Sequence, residues 1–291
     1  MSVFVHGDNI AAKETHPRKY QDALSKQYLK EIREKYEEWK NANIALVGPH
    51  QIPSDDDNQI ISQRVELFNA YKNFLDQRNY AEHFDSRSNL HSSALEEFMY
   101  FLFKDLVADY SQYALIGKSH AFKDIFFRSR NYSSMITVPG TVIETKDHDF
   151  VIGSTVQASL QCIGMNASDQ VSFDIPAIAI ECKTYLDKTM LEGSSTAGEQ
   201  LKARNPNAMY VVVAERLKLT ENINLRKYKV DQIYILRKER NVDREYRLEE
   251  DFQTNPIYTD VVQHLYCAVR DHLAIDWMGN IADGIERGYL I

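Results

Sequence analysis

The hydrophobic period of this chain changes after its first 130 residues or so, and that change limits the folds open to it. Up to about residue 106, apolar residues recur every three to four positions, the spacing that gives a helix one oily face. Tyr20, Leu24, Tyr28, Ile32, Tyr36 and Trp39 trace such a stripe between about residues 17 and 41. Gly48-Pro49 and Pro53-Ser-Asp-Asp-Asp57 break it, and a second helix is predicted from about residue 59 to 82. Asp85-Ser-Arg-Ser-Asn89 reads as a linker. Ser92 or Ser93 then opens a third helix, carrying Leu95, Phe98, Met99, Leu102 and Leu106.

After residue 130 the pattern becomes strand-like. Ser134-Met-Ile-Thr-Val138, Thr141-Val-Ile-Glu-Thr145 and Asp149-Phe-Val-Ile152 read as strands, with Lys146-Asp-His148 as a hairpin turn. Val171 to Thr184 is a further strand, in which Pro176 points to a bulge or an edge start. A helix around Ser195 to Arg204, the apolar strand Met209 to Ala214, a strand near Val230 to Leu236 and a helix from Asp260 to Ala274 complete the order. The expected fold is α/β: a mixed β-sheet flanked by helices, with an added helical N-terminal region. Residues 1–88 form that addition, for DNA binding or subunit contact, and 89–291 the main domain with its C-terminal helix.

Bulk properties exclude several classes. No apolar run approaches the ~18 residues of a membrane span, and no signal-peptide pattern opens the chain. Cys162, Cys182 and Cys267 show no pairing spacing, which fits a cytoplasmic protein. The net charge of −8 argues against indiscriminate coating of nucleic acid. Two basic stretches stand against that background. Lys118 to Arg130 interleaves Lys118, Lys123, Arg128 and Arg130 with aromatic residues, and Arg216 to Arg247 holds ten Lys or Arg against five Asp or Glu. Either is a candidate to follow a phosphate backbone. The chain has no Gly-rich phosphate loop and no HExxH.

Two apolar runs carry the chemistry. Asp149 begins one, and Glu181-Cys182-Lys183 ends the other, Ile178-Ala-Ile-Glu-Cys-Lys183. Strand alternation puts Glu181 and Lys183 on one face and Ile178, Ile180 and Cys182 on the other. Two carboxylates and an ammonium at one sheet edge are what a hard divalent cation acting on a phosphodiester requires. Two other acid-x-Lys triplets, Glu38-Trp-Lys40 and Glu144-Thr-Lys146, fall in a helix and at the predicted turn. Asp149 and Glu181 are the expected Mg²⁺ ligands, together with the backbone carbonyl of Cys182. Lys183 would orient the attacking water and counter charge on the phosphate. Asp147 is the rival first ligand, placed second because it falls in the turn. Glu96 or Glu97 on the third helix is a candidate further carboxylate. Cys182 is read as a small buried hydrophobe rather than a nucleophile, and His148 as a turn residue exposed to solvent.

Helix, Asp-bearing hairpin, strand with Glu-x-Lys, helix and strand together resemble the PD-(D/E)XK nuclease superfamily. Ala94-Leu-Glu-Glu-Phe98, Asp149-Phe-Val-Ile-Gly153 and Ile180-Glu-Cys-Lys-Thr-Tyr-Leu-Asp-Lys-Thr-Met-Leu191 resemble type II restriction endonucleases of the BbvCI kind over roughly residues 92–213. His148 stands where the superfamily has a proline. The resemblance implies a Mg²⁺-dependent endonuclease subunit acting on double-stranded DNA, paired with a second, homologous subunit. Each subunit of such a heterodimer cuts one strand of an asymmetric CCTnAGC-like site, leaving 5′-phosphate and 3′-hydroxyl ends. A homodimeric restriction or repair nuclease is the alternative within the enzyme class, and a non-catalytic DNA-binding protein the alternative outside it. For base reading, Asn205-Pro-Asn207 and the segment from Gly153 to Asp169 are candidate places.

Overall fold

Helix α5 (Leu90–Tyr110) is apolar nearly all round, and the protein is built to surround it. The structure is a computed structural model that describes residues 3–84, 89–242, 252–277 and 285–288. Residues 85–88 of the predicted linker lie outside the described residues, as do Arg244 and Arg247 of the second basic stretch. Ahead of α5 come α1 (Val5–Glu14), α2 (Ala23–Ala45), α3 (Asp57–Leu75) and the short α4 (Arg78–His83). Asp22 starts α2 by accepting from the Ser25 amide at 2.8 Å, and Leu29, Ile32, Tyr36 and Trp39 form its buried stripe. The helix predicted over 59–82 is two helices, α3 and α4.

A five-stranded sheet follows, in the order β1 (Leu115–Phe127), β2 (Thr141–Gln161), β3 (Ser168–Leu186), β4 (Met209–Leu217), β5 (Gln232–Ile235). The first two neighbouring pairs are antiparallel and the last two parallel. Helix α7 (Lys188–Lys202) crosses between the parallel strands β3 and β4, and Asp187 caps it through the Met190 amide at 2.8 Å. Helix α8 (Thr259–Ala274) closes the described core. The mixed α/β sheet with its helical N-terminal addition therefore stands.

The two faces of the sheet bury different partners. Phe150, Ile152, Ile178, Ile180, Cys182, Val211 and Val213 pack with residues of α1 to α5 and α8 in one continuous core. Val151, Ala179, Tyr210, Val212 and Ala214 pack with Leu191, Ala197 and Leu201 of α7 in a second. Among the described residues, no helix is long and apolar enough to cross a membrane.

Two local expectations fail for physical reasons. Residues 146–148 are not a hairpin turn, because β1 runs alongside β2 from Thr141 to Gly153 and keeps that segment extended. A cross-strand ion pair, Lys123–Glu144, and a cross-strand hydrogen bond between His120 and Asp147 occupy the exposed side chains there. Ser134–Val138 is not a strand: Asn131 caps the Ser134 amide at 2.8 Å and winds Tyr132–Met135 into the single helical turn α6. Pro176 behaves as expected. It faces Gly153 across a register shift, and a Cβ on Gly153 would run into the Ile175 carbonyl oxygen.

Candidate active site

A β-bulge sets the position of Asp149. The β1–β2 register steps from Gly117↔Val151 to Ser119↔His148, leaving Asp149 and Phe150 opposite Lys118 alone. On the other side, β2 pairs with β3 up to Phe150↔Ile180, which brings Asp149 beside the Glu181–Lys183 end of that strand. Asp149 Oδ2 accepts from the Cys182 amide at 2.9 Å and from Lys183 Nζ at 3.1 Å. Lys183 Nζ also lies 2.7 Å from Glu181 Oε1. The three side chains are partly buried, each about one-fifth to one-quarter exposed (22, 21 and 24%). The structure thus brings together the acid, acid and lysine chosen from sequence.

Electrostatics follow from this convergence. Burial alone would lower the Lys183 pKa, but Asp149 and Glu181 outweigh it and push it above the ordinary lysine range. In this arrangement Lys183 is a fixed positive charge and donor, not a base. Glu96, reaching in from α5, is pushed up to about 7, first by burial and then by the charge of Asp149. Lys118 Nζ, 3.7 Å from Glu96 Oε2, pulls in the opposite direction.

Glu97 does something else. Its Oε2 accepts from the backbone amides of His6 at 2.9 Å and Gly7 at 3.2 Å, and Tyr36 Oη donates to Oε1 at 3.0 Å. Of the two glutamates, Glu96 faces the site and Glu97 ties α1 and α2 to α5. Asp147, the rival ligand, is exposed and paired with His120. Cys182 is buried in the core shared with α1 to α5, and burial raises its thiol well above the usual range, in keeping with a small buried hydrophobe.

His148 departs from its reading as an exposed turn residue. It is buried, with its ring 5.7 Å from that of Tyr210 in an edge contact, and burial lowers its pKa to about 4. Tyr210 itself was not singled out from sequence. Its hydroxyl lies 3.4 Å from Glu181 Oε2, and burial raises its pKa. A Cβ on Gly198 of α7 would press on the Tyr210 ring and the Lys229 carbonyl, so the missing side chain there makes room for the tyrosine. No local sequence signal marks Tyr210, because the contact depends on the β3–β4 register.

Among the described residues, no group of three His, Cys, Asp or Glu side chains is already gathered as a metal cage. The donor set nevertheless suits a hard cation. Asp149 and Glu181 converge, and the upward push of Asp149 on Glu96 marks a third carboxylate within the same negative field.

Half of the described cations of the second basic stretch are consumed within the fold. Arg216 pairs with Glu239, Arg237 with Glu215, Lys238 with Asp260 and Arg240 with Glu221. Asn205 is likewise used, donating to the Pro176 carbonyl at 2.8 Å.

Residues 87–290 match the Bpu10I restriction endonuclease family. The chain belongs to that family. It is a type II restriction endonuclease subunit, a site-specific deoxyribonuclease. A solved structure described as the native BbvCI A2B2 tetramer at low resolution is similar in fold, with a TM-score of 0.65 at 18% identity. That match covers 91% of this chain and 96% of the other. No curated protein matches the chain significantly. The assignment to the Bpu10I restriction endonuclease family rests on the family match, and the BbvCI likeness shows the shared fold.

Proposed function

We propose that this chain is a Mg²⁺-dependent subunit that cuts one strand of double-stranded DNA, leaving a 5′-phosphate and a 3′-hydroxyl. The observation that carries this is the meeting of Asp149, Glu181 and Lys183 at the bulged edge of β2 and β3. Asp149, Glu181 and the backbone carbonyl of Cys182 would hold the cation, with Glu96 as a further carboxylate. Bound there, a divalent cation supplies Lewis-acid polarisation of the phosphate and a water of lowered pKa. Lys183 orients the water and offsets charge that grows on the phosphate oxygens during in-line displacement. Tyr210 steadies Glu181 from the α7 side. Such a site belongs to the PD-(D/E)XK group.

The second subunit is a homologue of this chain in this reading, and the target is an asymmetric site of the CCTnAGC type. Support for two kinds of subunit comes from the BbvCI structure, which is described as A2B2. Residues 1–88 act as the helical addition to a catalytic domain of 89–291, and the enzyme works in the cytoplasm. The test is digestion of supercoiled plasmid with Mg²⁺ by this chain, alone and with its homologous partner. Glu181→Gln and Lys183→Ala should each turn the paired enzyme from a double-strand cutter into a nicking enzyme while DNA binding persists. Unchanged linearisation by both variants would overturn the assignment.

A further inference from the structure

Beyond the central sheet, β1, β2 and β3 curl on one another into an arm. Ala121 of β1 bridges Asp174 of β3 in parallel, although β2 lies between those strands elsewhere. Two of the arm's acids turn to its own backbone and hydroxyls. Asp169 accepts from the Thr141 amide at 2.7 Å, and Asp174 accepts from Ser119 and Thr155, each at 2.6 Å. Ser168 precedes Glu181 by 13 residues on one strand, at most on the order of 40 Å at full extension. The tip of the arm therefore lies no farther than that from the candidate active site along the strand, a bound of the same order as one turn of duplex DNA.

Two features at the far end point to one kind of ligand. First, the cross-strand pairs Gln157↔Ser172, Ser159↔Gln170 and Gln161↔Ser168 form an exposed ribbon of amides and hydroxyls. None of the six is charged, in a chain whose residues are 26% charged. Second, the loop between β1 and β2 forms an open groove of about 540 Å³ lined by Arg128, Arg130, Asn131, Ser133, Ser134 and Thr137, with further loop residues. Lys118, Lys123 and His120 of the same basic stretch are paired with Glu96, Glu144 and Asp147. Arg128 and Arg130 are exposed and form no ion pair among the described residues. Groove and ribbon adjoin, since Cys162 in the turn after β2 lies 3.3 Å from the Met135 carbonyl oxygen.

We propose that this arm is the DNA-reading element, with Arg128 and Arg130 on the phosphate backbone and the Gln157–Gln161–Gln170 ribbon against base edges. A two-stranded ribbon fits the major groove, and glutamine matches the donor and acceptor edge of adenine. Uncompensated arginines on an acidic protein supply attraction to a polyanion that the paired basic residues cannot. The proposal rests on the nuclease reading above, but it concerns a surface remote from Asp149, Glu181 and Lys183.

The experiment measures fluorescence anisotropy of labelled duplex DNA with the full chain in Ca²⁺, across a salt series. The R128A/R130A variant should bind all sequences more weakly, and its log K against log salt slope should shrink by about 2. Melting temperature and Ca²⁺ affinity should stay at wild-type values. Gln157→Ala and Gln170→Ala should keep the salt slope but broaden the set of sites cut in a randomised duplex library. Unchanged affinity and slope in R128A/R130A, or no duplex binding by the unmodified chain, would overturn the proposal. A shift in oligomeric state without a change in DNA affinity would also overturn it, and would assign the groove to subunit contact. Failure of the metal-site reading is distinguishable: Glu181→Gln would then leave both Ca²⁺ binding and cleavage unchanged.

Discussion

Tyr210 shows how far the environment of a single side chain extends. Its ring fills the space left by Gly198, touches His148 by an edge, and sets its hydroxyl near Glu181. Tyr210→Phe removes only that hydroxyl. It should lower divalent-cation affinity about tenfold, as loss of an outer partner of a ligand does, and leave the melting temperature close to wild type. Isothermal titration with Ca²⁺ reads this, and equal affinity would reduce Tyr210 to a space filler. Glu97 gives a pH prediction. Burial pushes its carboxyl up to about 7, against an unfolded value near 4.5. The folded protein therefore holds a proton there that the unfolded chain releases between those values. Glu97's contribution to stability is full below about pH 4.5 and is lost as pH rises towards 7. Across that window wild type should lose up to about 3 kcal/mol relative to Glu97→Gln. Denaturant unfolding of both proteins from pH 5 to 8 checks it, and a constant difference would contradict it. The meeting of Asp149 with Glu181 and Lys183 could be anticipated because Glu181 and Lys183 alternate along one strand and Asp149 heads the apolar run that pairs with it. His148 was not, because the bulge that turns it inward depends on β1 pairing from more than 20 residues upstream.

Among the elements, α3 and β4 are joined by buried charge as well as by the shared apolar core. Lys72 lies 3.0 Å from Glu215 and 3.1 Å from Asp76, and Arg237 lies 3.0 Å from Glu215; Lys72, Glu215 and Arg237 are each about 1% exposed. Burial would raise the Glu215 carboxyl, but Lys72 and Arg237 overcome it and hold the group below its ordinary range. Removing one partner strands the others, so Lys72→Met should cost about 3–5 kcal/mol. Urea unfolding measures it, and a change below about 1 kcal/mol would mean the remaining cations compensate. None of this was visible in sequence, where Arg237 and Lys72 look like ordinary surface charges. Helices α2, α3, α5 and α8 were legible through their stripes, as were β3 and β4 through their apolar runs, whereas α1 was not read at all. Strand β1 and the outer half of β2 were not, since an arm exposed on several sides lacks the alternation that burial imposes.

For the whole molecule, the proposed division of labour predicts an asymmetry. Titrating this chain with its homologous partner on supercoiled plasmid should raise linear product to a maximum at equal amounts. If this chain carries Glu181→Gln, nicked circles should accumulate instead. Linear product from this chain alone, at undiminished rate, would favour the homodimeric alternative. The continuous core has a further consequence. Trp39 of α2 meets Phe68 and Phe101 at ring distances of 5.8 and 5.1 Å, and Phe68 stacks on Phe98 at 4.4 Å. Family likeness begins at residue 87, yet the contacts that cover α5 begin with Phe4, which packs on Tyr100 and Phe101. A fragment cut at the start of the likeness would expose that aromatic face to water, at ~25 cal/mol for each Å² uncovered. Inheritance and folding are thus divided along different lines in this chain. A catalytic segment exchanged between relatives would keep its shape only if its aromatic counterparts from the first 80 residues travelled with it.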